Sequence, residues 1–162
     1  MTHGIPCNAY TFVKKDRIRI DKRKLKKTPL EGPILKNLKE GKDVVYKGKK
    51  YLAKNLTYKE IGKKISFILD TSINSKIVPF AENSDLLICE STFDSESEDR
   101  AKEYKHLTSN QAAEIAKKSK SKKLILTHIS QRYSKDPKKI LLSAKKVFKN
   151  SFLANDLDVF EI

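Results

Sequence analysis

Three short apolar runs constrain this chain most: Lys64 to Thr71 (KISFILDT), Asp85 to Glu90 (DLLICE) and Lys123 to Thr127 (KLILT). Runs of this length bounded by charged residues suit strands buried in an α/β sheet. Helical patterns fall between and after them. Thr108-x-x-Gln111 matches a capping box, with Ala112, Ala113, Ile115 and Ala116 on one face behind it. Asp136-Pro137 opens a last helix whose buried stripe is Ile140, Leu141, Ala144, Val147 and Phe148. A strand around Ala9 to Val13, a helix over Glu98 to Tyr104, and a short helix or loop at Lys76 to Glu82 complete the middle of the pattern. Two strand-like runs, Ser151 to Ala154 and Leu157 to Ile162, close the chain on either side of Asn155-Asp156. Strands that alternate with helices predict an α/β fold with a layered core.

In sheets of this kind the chemistry collects at the carboxyl ends of the strands. Asp70 sits at one such end and His128 at another, and His3 precedes a third strand-like run. These three are candidate metal ligands. A capping Asp and two ordinary histidines are the plainer alternative, because no short motif here fixes a metal. His106 lies just before the helix that Thr108 caps, where backbone N–H groups favour an anion. It reads equally as a loop histidine in solvent. DLLICE places Cys89 and Glu90 at the end of their strand.

Charge divides the chain. The net charge is +15, and Lys14 to Lys64 carries 19 Lys and Arg against 6 Asp and Glu, a net +13. Within it Lys22, Arg23, Lys24, Lys26 and Lys27 crowd together, and Arg17 to Lys27 holds only Ile18, Ile20 and Leu25 as apolar residues, too few for a core. Residues 14–63 therefore read as a basic insertion that projects from a body made of 1–13 and 64–162. Gly32-Pro33 breaks it, Pro33 suits the first turn of a short helix to about Glu40, and Gly41 ends that helix. Val44 to Tyr46 forms a strand with a turn at Lys47-Gly48. Such a segment suits a polyanion, with affinity that falls as salt rises. Its few aromatic residues, Tyr46, Tyr51 and Tyr58, favour backbone contact over base reading. An acidic membrane surface is the rival partner, but no amphipathic helix with a bulky apolar face accompanies the charge. No membrane span or signal peptide is evident, and Cys7 and Cys89 are too far apart in sequence for a zinc knot. Reduced thiols and a cytoplasmic location are the expectation.

Taken together the motifs resemble the carboxy-terminal half of the ribonuclease Z family, tRNA 3′-processing endonucleases of the metallo-β-lactamase superfamily. His3-Gly4-Ile5-Pro6 followed by Tyr10 resembles the segment of the family's third metal-binding histidine. Asp70-Thr71 is similar to its Gly-Asp-Thr, and His106-Leu107-Thr108 with Gln111-Ala112-Ala113 to its His-Ser-Thr and following helix. Leu124 to Ser130 with Arg132-Tyr133 resembles the segment of the last zinc histidine, and Ala154-Asn155-Asp156-Leu157 the closing Ala-x-Asp-Leu/Phe pattern. The lysine-rich stretch around Gly32-Pro33 resembles the family's tRNA-clasping arm, its exosite.

The resemblance implies half of an αββα sandwich and hydrolysis of precursor tRNA after the discriminator nucleotide. It implies two zinc ions, one held by His3, the other by His128, with Asp70 between them. His106 would contact the scissile phosphate or assist the leaving group, and Glu90 would orient a histidine. Arg132 would steady phosphate charge, while Lys22, Arg23, Lys24, Lys26 and Lys27 would bind tRNA. The family's His-x-His-x-Asp-His run is absent, so the chain offers too few ligands for a catalytic zinc, which normally takes at least three from protein. Weak zinc binding and no cleavage by this chain alone follow, with an amino-terminal half on a separate chain as the expected partner. Homodimerisation of the completed unit stays open. A non-catalytic RNA-binding module derived from the family is the alternative. Two further departures are Leu69 for the family's Gly before the Asp, and Cys89-Glu90-Ser91-Thr92 for its His-Glu-Ala-Thr. The first threatens the backbone at Asp70, the second the orientation of ligands or the handling of protons.

Overall fold

The computed structural model describes residues 1–162. In chain order the elements are β1 (Tyr10–Lys14), β2 (Arg17–Ile20), α1 (Lys22–Leu25), α2 (Leu35–Lys39), β3 (Val44–Tyr46), β4 (Lys49–Tyr51), α3 (Ala53–Leu56), β5 (Thr57–Glu60), β6 (Lys63–Ile68), α4 (Ile77–Ala81), β7 (Leu86–Glu90), α5 (Glu98–Tyr104), α6 (Ser109–Lys118), β8 (Leu124–Thr127), α7 (Lys138–Val147) and β9 (Ser151–Leu153). Single 3₁₀ turns at Gly32–Ile34 and Gln131–Tyr133 precede α2 and follow β8. No helix is long and apolar enough to cross a membrane. The chain divides into two compact units, Met1–Val13 with Lys63–Ile162, and Lys14–Gly62.

The first unit is built on a five-stranded sheet in the order β1-β6-β7-β8-β9, in which β6 to β9 run parallel. Side chains alternate across it. One face carries Ile68, Leu87, Cys89, Leu124 and Leu126, which pack with residues of α4, α6 and α7 in one core. Each fully buried Leu or Ile contributes roughly 1.5–3 kcal/mol. Helix α6 starts where the sequence predicts. The Thr108 hydroxyl accepts from the Gln111 N–H at 3.2 Å, and the Gln111 side chain accepts from the Thr108 N–H at 3.0 Å.

The other face carries an apolar row. Phe67, Ile88, Ile125 and Phe152 are register partners across β6 to β9, and Phe12 of β1 meets Phe67 edge-on at 5.7 Å. The ends of the row are open to solvent, Phe12 at 62% and Phe152 at 38% exposure.

Leu157–Ile162 is not a strand, contrary to its alternating pattern. Leu157 is 99% and Val159 89% exposed. Asn155 instead closes a turn on the Asp158 carboxylate, its N–H donating at 2.8 Å, and Leu157 takes φ 68°. Alternation signals a strand only where a sheet edge accepts it.

The second unit has a core after all. Leu30, Leu38, Val44, Ala53 and Leu56 are buried together. The segments between residues 28 and 56 supply them, while the Lys and Arg side chains of Arg17–Lys27 stay exposed and Leu25 packs against the cluster. Strands β2 and β5 pair antiparallel, as do β3 and β4. Two glycines are required here. Gly41 ends α2 at φ 76°, and a Cβ on Gly62 would lie 2.1 Å from the Lys14 carbonyl oxygen.

Candidate metal centre

Asp70, Glu90 and His128 stand at the carboxyl ends of three neighbouring parallel strands, β6, β7 and β8. Asp70 and His128 both take left-handed backbone, φ 50° and 56°. This conformation costs an L-residue roughly 1–2 kcal/mol, least for Asp, Asn and His. Such strain gathers at functional sites and turns both side chains out of the strand direction. Leu69 is not among the positive-φ residues. Asp70 itself takes the turn.

His106 arrives from the α5–α6 connection. Lys105 ends α5 at φ 59°, and the His106 N–H donates to the Ala101 carbonyl at 2.8 Å. The Phe93 N–H donates to the Leu107 carbonyl and the Ser109 N–H to the Phe93 carbonyl, which ties this connection to the loop after β7.

Glu90 is fully buried and organises the group. Its Oε1 accepts from the Thr71 N–H at 2.5 Å. Its Oε2 accepts from the Thr92 hydroxyl at 2.7 Å and the Leu107 N–H at 3.1 Å, and faces His106 Nδ1 at 3.0 Å. The backbone beside Asp70 and beside His106 is thus fixed by one carboxylate. Thr92 carries the arrangement on to His128, whose Nδ1 is 2.9 Å from the same hydroxyl. That hydroxyl has one proton and gives it to Glu90, so it accepts from His128. Nδ1 of each ring is thereby engaged, which leaves Nε2 as the nitrogen free to act as a ligand.

The Nε2 of His128 lies 3.2 Å from Asp70 Oδ1. That oxygen is buried and has no hydrogen-bond partner. A carboxylate oxygen and an imidazole nitrogen this close, the oxygen without a hydrogen-bond partner, offer two ligand atoms to a cation. Ligand atoms of Asp70, His106 and His128 all lie within 4.8 Å of one another. The donor set, two imidazoles and a carboxylate, suits a transition metal of the zinc kind.

His3 stands beside this set and outside it. Its ring centroid is 4.8 Å from that of His106, and its Nδ1 is 3.1 Å from the Lys105 carbonyl. Arg132 is exposed, with its guanidinium 5.1 Å over the Phe93 ring and its Nε donating to Ser130 Oγ at 3.3 Å. Phe93 in turn lies 6.3 Å from the His106 ring. Cys89 points into the helix-side core, and burial, then the neighbouring Glu90, pushes its thiol pKa well up. It offers nothing to a metal. The orientation of the histidines does not depend on it, because Glu90 and Thr92 supply that. Thr92 was missed by sequence reasoning, although it ends the Cys89-Glu90-Ser91-Thr92 motif. Lys22, Arg23 and Lys24 form α1 in the second unit, capped by Asp21, with Lys26 and Lys27 following, all exposed.

The sequence aligns over all of its length with proteins named ribonuclease Z. That from Listeria welshimeri is 41% identical over 171 aligned residues, which take in 100% of this chain and 55% of that protein. The one from Clostridium novyi is 37% identical over 96% of this chain and 50% of its own length. In Archaeoglobus fulgidus the identity is 36%, over 99% of this chain and 54% of the relative. The chain belongs to the ribonuclease Z family. It spans about half the length of the curated relatives it matches and corresponds to their carboxy-terminal half. No family model matches the sequence. Among solved structures, the metallo-β-lactamase fold protein YhfI from Bacillus subtilis superposes with a TM-score of 0.52 at 30% identity, over 57% of this chain and 37% of that one. The sheet unit is accordingly half of a metallo-β-lactamase αββα sandwich, and metal use is a property of that fold family.

Proposed function

We propose that this chain is the carboxy-terminal part of a zinc-dependent tRNA 3′-processing endoribonuclease. It hydrolyses precursor tRNA after the discriminator nucleotide when completed by an amino-terminal half that carries His-x-His-x-Asp-His. The observation that carries this reading is the meeting of Asp70, His106 and His128, with Nδ1 of both rings engaged by Thr92 and Glu90, in a chain of this family. The solvent-open ends of the apolar row, Phe12 and Phe152, support a missing half, because a sandwich buries that face. Free Cys7 and Cys89 are in keeping with the reducing cytoplasm.

In the completed site Asp70, His3 and His128 would hold the zinc, which would supply a water of lowered pKa and a counter-charge for the leaving oxygen. Glu90 holds the His106 ring by Nδ1, so that Nε2 meets the scissile phosphate or serves the leaving group. Glu90 itself is too deeply buried to touch substrate and acts by positioning. Arg132 steadies phosphate charge. The second unit, Lys14–Gly62, carries 17 Lys and Arg against 6 Asp and Glu, and acts as the tRNA-binding exosite through Lys22, Arg23, Lys24, Lys26 and Lys27.

The test is precursor-tRNA cleavage with zinc, by this chain alone and after co-expression with a His-x-His-x-Asp-His half. Cleavage by the pair only, abolished by Asp70→Ala, is the expected result. No cleavage by a pair shown to associate would replace this reading with an RNA-binding module.

A further inference from the structure

We propose that the exposed side of α7 is a track for the RNA strand that runs on past the cut, the single-stranded 3′ trailer. The inference rests on the endonuclease reading above and adds a contact which that reading does not use. Outside Lys14–Lys64 the chain carries 16 Lys and Arg against 14 Asp and Glu. The near balance hides a local excess, since residues 131–149 hold seven of those cations against one acid, Asp136.

The fold draws these cations into a line. Strands β8 and β9 are parallel, so α7 between them runs from the rim that carries His128 back toward the other end of the sheet. Ile140 and Ala144 are buried on its inner side. Seven residues make nearly two turns of ~3.6, so Lys138 and Lys145 stand in one row ~10 Å apart, with Lys146 beside it. Arg132 and Lys135 lead into the row from the rim, and Lys149 follows its far end, all of them exposed. Lys139 is neutralised by Asp94 at 2.9 Å and Glu96 at 2.7 Å. Lys138, Lys145, Lys146 and Lys149 pair with no carboxylate, and Lys145 instead leans over the Phe152 ring at 5.9 Å.

Unpaired ammonium groups in a row repel one another, and a polyanion relieves that repulsion. Leu142 is the one large apolar side chain exposed on the helix. That is too little to enter a membrane, and the core of a protein interface is poor in lysine. Lysine meets phosphate as a point charge and fixes a strand without reading its bases. On one side of the cut is the folded tRNA, for which the basic unit already supplies a surface. On the other is the trailer, for which the reading above names no contact.

The experiment uses the full chain without zinc, so that the RNA stays whole, and two RNAs. One is a precursor tRNA with a long trailer, and the other is the same tRNA ending at the discriminator nucleotide. Lysine acetylation is read by mass spectrometry with each bound. The longer RNA should protect Lys138, Lys145, Lys146 and Lys149, and the shorter should leave them reactive. Changing these four together to Gln, a residue of similar helix propensity, should weaken binding of the longer RNA alone. Its log–log salt slope should fall by up to ~0.7 for each lysine removed. Equal protection by both RNAs would put folded tRNA on α7 and overturn the proposal, as would protection by neither. Protection on α7 without protection of Lys22, Lys24, Lys26 and Lys27 would instead remove the exosite reading and leave the trailer track standing.

Discussion

Glu90 in the sheet unit and Glu60 in the basic unit each gather several donors, under opposite conditions. Glu90 is fully buried, and its partners are two backbone N–H groups, a hydroxyl and an imidazole drawn from three segments of chain. Glu60 is partly exposed, and its partners are the Lys14 ammonium and the Arg19 guanidinium, both at 2.6 Å. Burial makes every unmade bond around Glu90 costly, so that network holds one geometry. Water and salt stand in readily for the partners of Glu60, so its pairs hold the β2–β5 ribbon loosely. Most cations of that unit have no acidic neighbour to pair with, since its 6 acids face 17 Lys and Arg. One unit uses polar groups to place a few atoms, and the other to set up a field.

The sharpest way to break this contrast is Glu90→Ala. It strands the Thr71 and Leu107 N–H groups without water, at ~1–3 kcal/mol each. We expect a loss of about 3–5 kcal/mol in urea unfolding, together with loss of Co²⁺ binding, followed by its visible absorption. A loss below about 1 kcal/mol would mean that the network is ornamental. Leu38→Ala removes a fully buried side chain from the small second core, and large-to-small changes of this kind cost ~2–5 kcal/mol. Hydrogen exchange should speed up within 14–62 while β7 and β8 stay protected. Equal loss of protection in both units would show that they unfold as one.

Neutralising Lys22, Arg23, Lys24, Lys26 and Lys27 together should weaken tRNA binding and flatten its salt dependence, by up to ~0.7–0.9 in log–log slope for each phosphate left without its cation. An unchanged slope in filter binding would remove these residues from the exosite. Thr92→Val keeps the shape but deletes the hydroxyl between Glu90 and His128. We expect ~1 kcal/mol of stability lost and roughly 10-fold weaker Co²⁺ binding. The smallest effect belongs to Glu60. Hydrogen bonds from Lys14 and then Arg19 hold its pKa down to about 2, against an ordinary 4.5. Because the folded value is depressed, its stabilisation is complete above pH 4.5 and is lost as pH falls through about 2. Acid titration of Glu60→Gln beside the parent chain should show the two converge at the acid end, and high salt should narrow the gap above it. A gap that widens as pH falls would reverse the sign.

Much of the fold was legible locally. The Thr108–Gln111 box lies within one helical turn, and the apolar runs ending near Asp70, Glu90 and His128 are complete within six residues or so of each end. The core of the basic segment was not legible, because Leu30, Leu38, Val44, Ala53 and Leu56 are scattered among lysines and meet only when folded. The false strand at Leu157–Ile162 failed for the converse reason, a strand-like local pattern that the turn at Asn155–Asp158 carries away from pairing.

What the sequence by itself determined is near-neighbour information: alternation, caps, turn residues, the placing of charge, and the motifs that carry the family. What only the tertiary structure decided is which side chains share an atom's surroundings. Glu90 reaches residues 71, 92, 106 and 107 because parallel strands deliver their carboxyl ends to one rim. The exchange of His3 for His106 in the ligand cluster is of the same kind. Both histidines lie near the rim, and with Lys105 at φ 59° His106 stands beside Asp70 and His128 while His3 rests against the Lys105 carbonyl. Backbone conformation at one residue sets such a choice, and no spacing in the sequence records it.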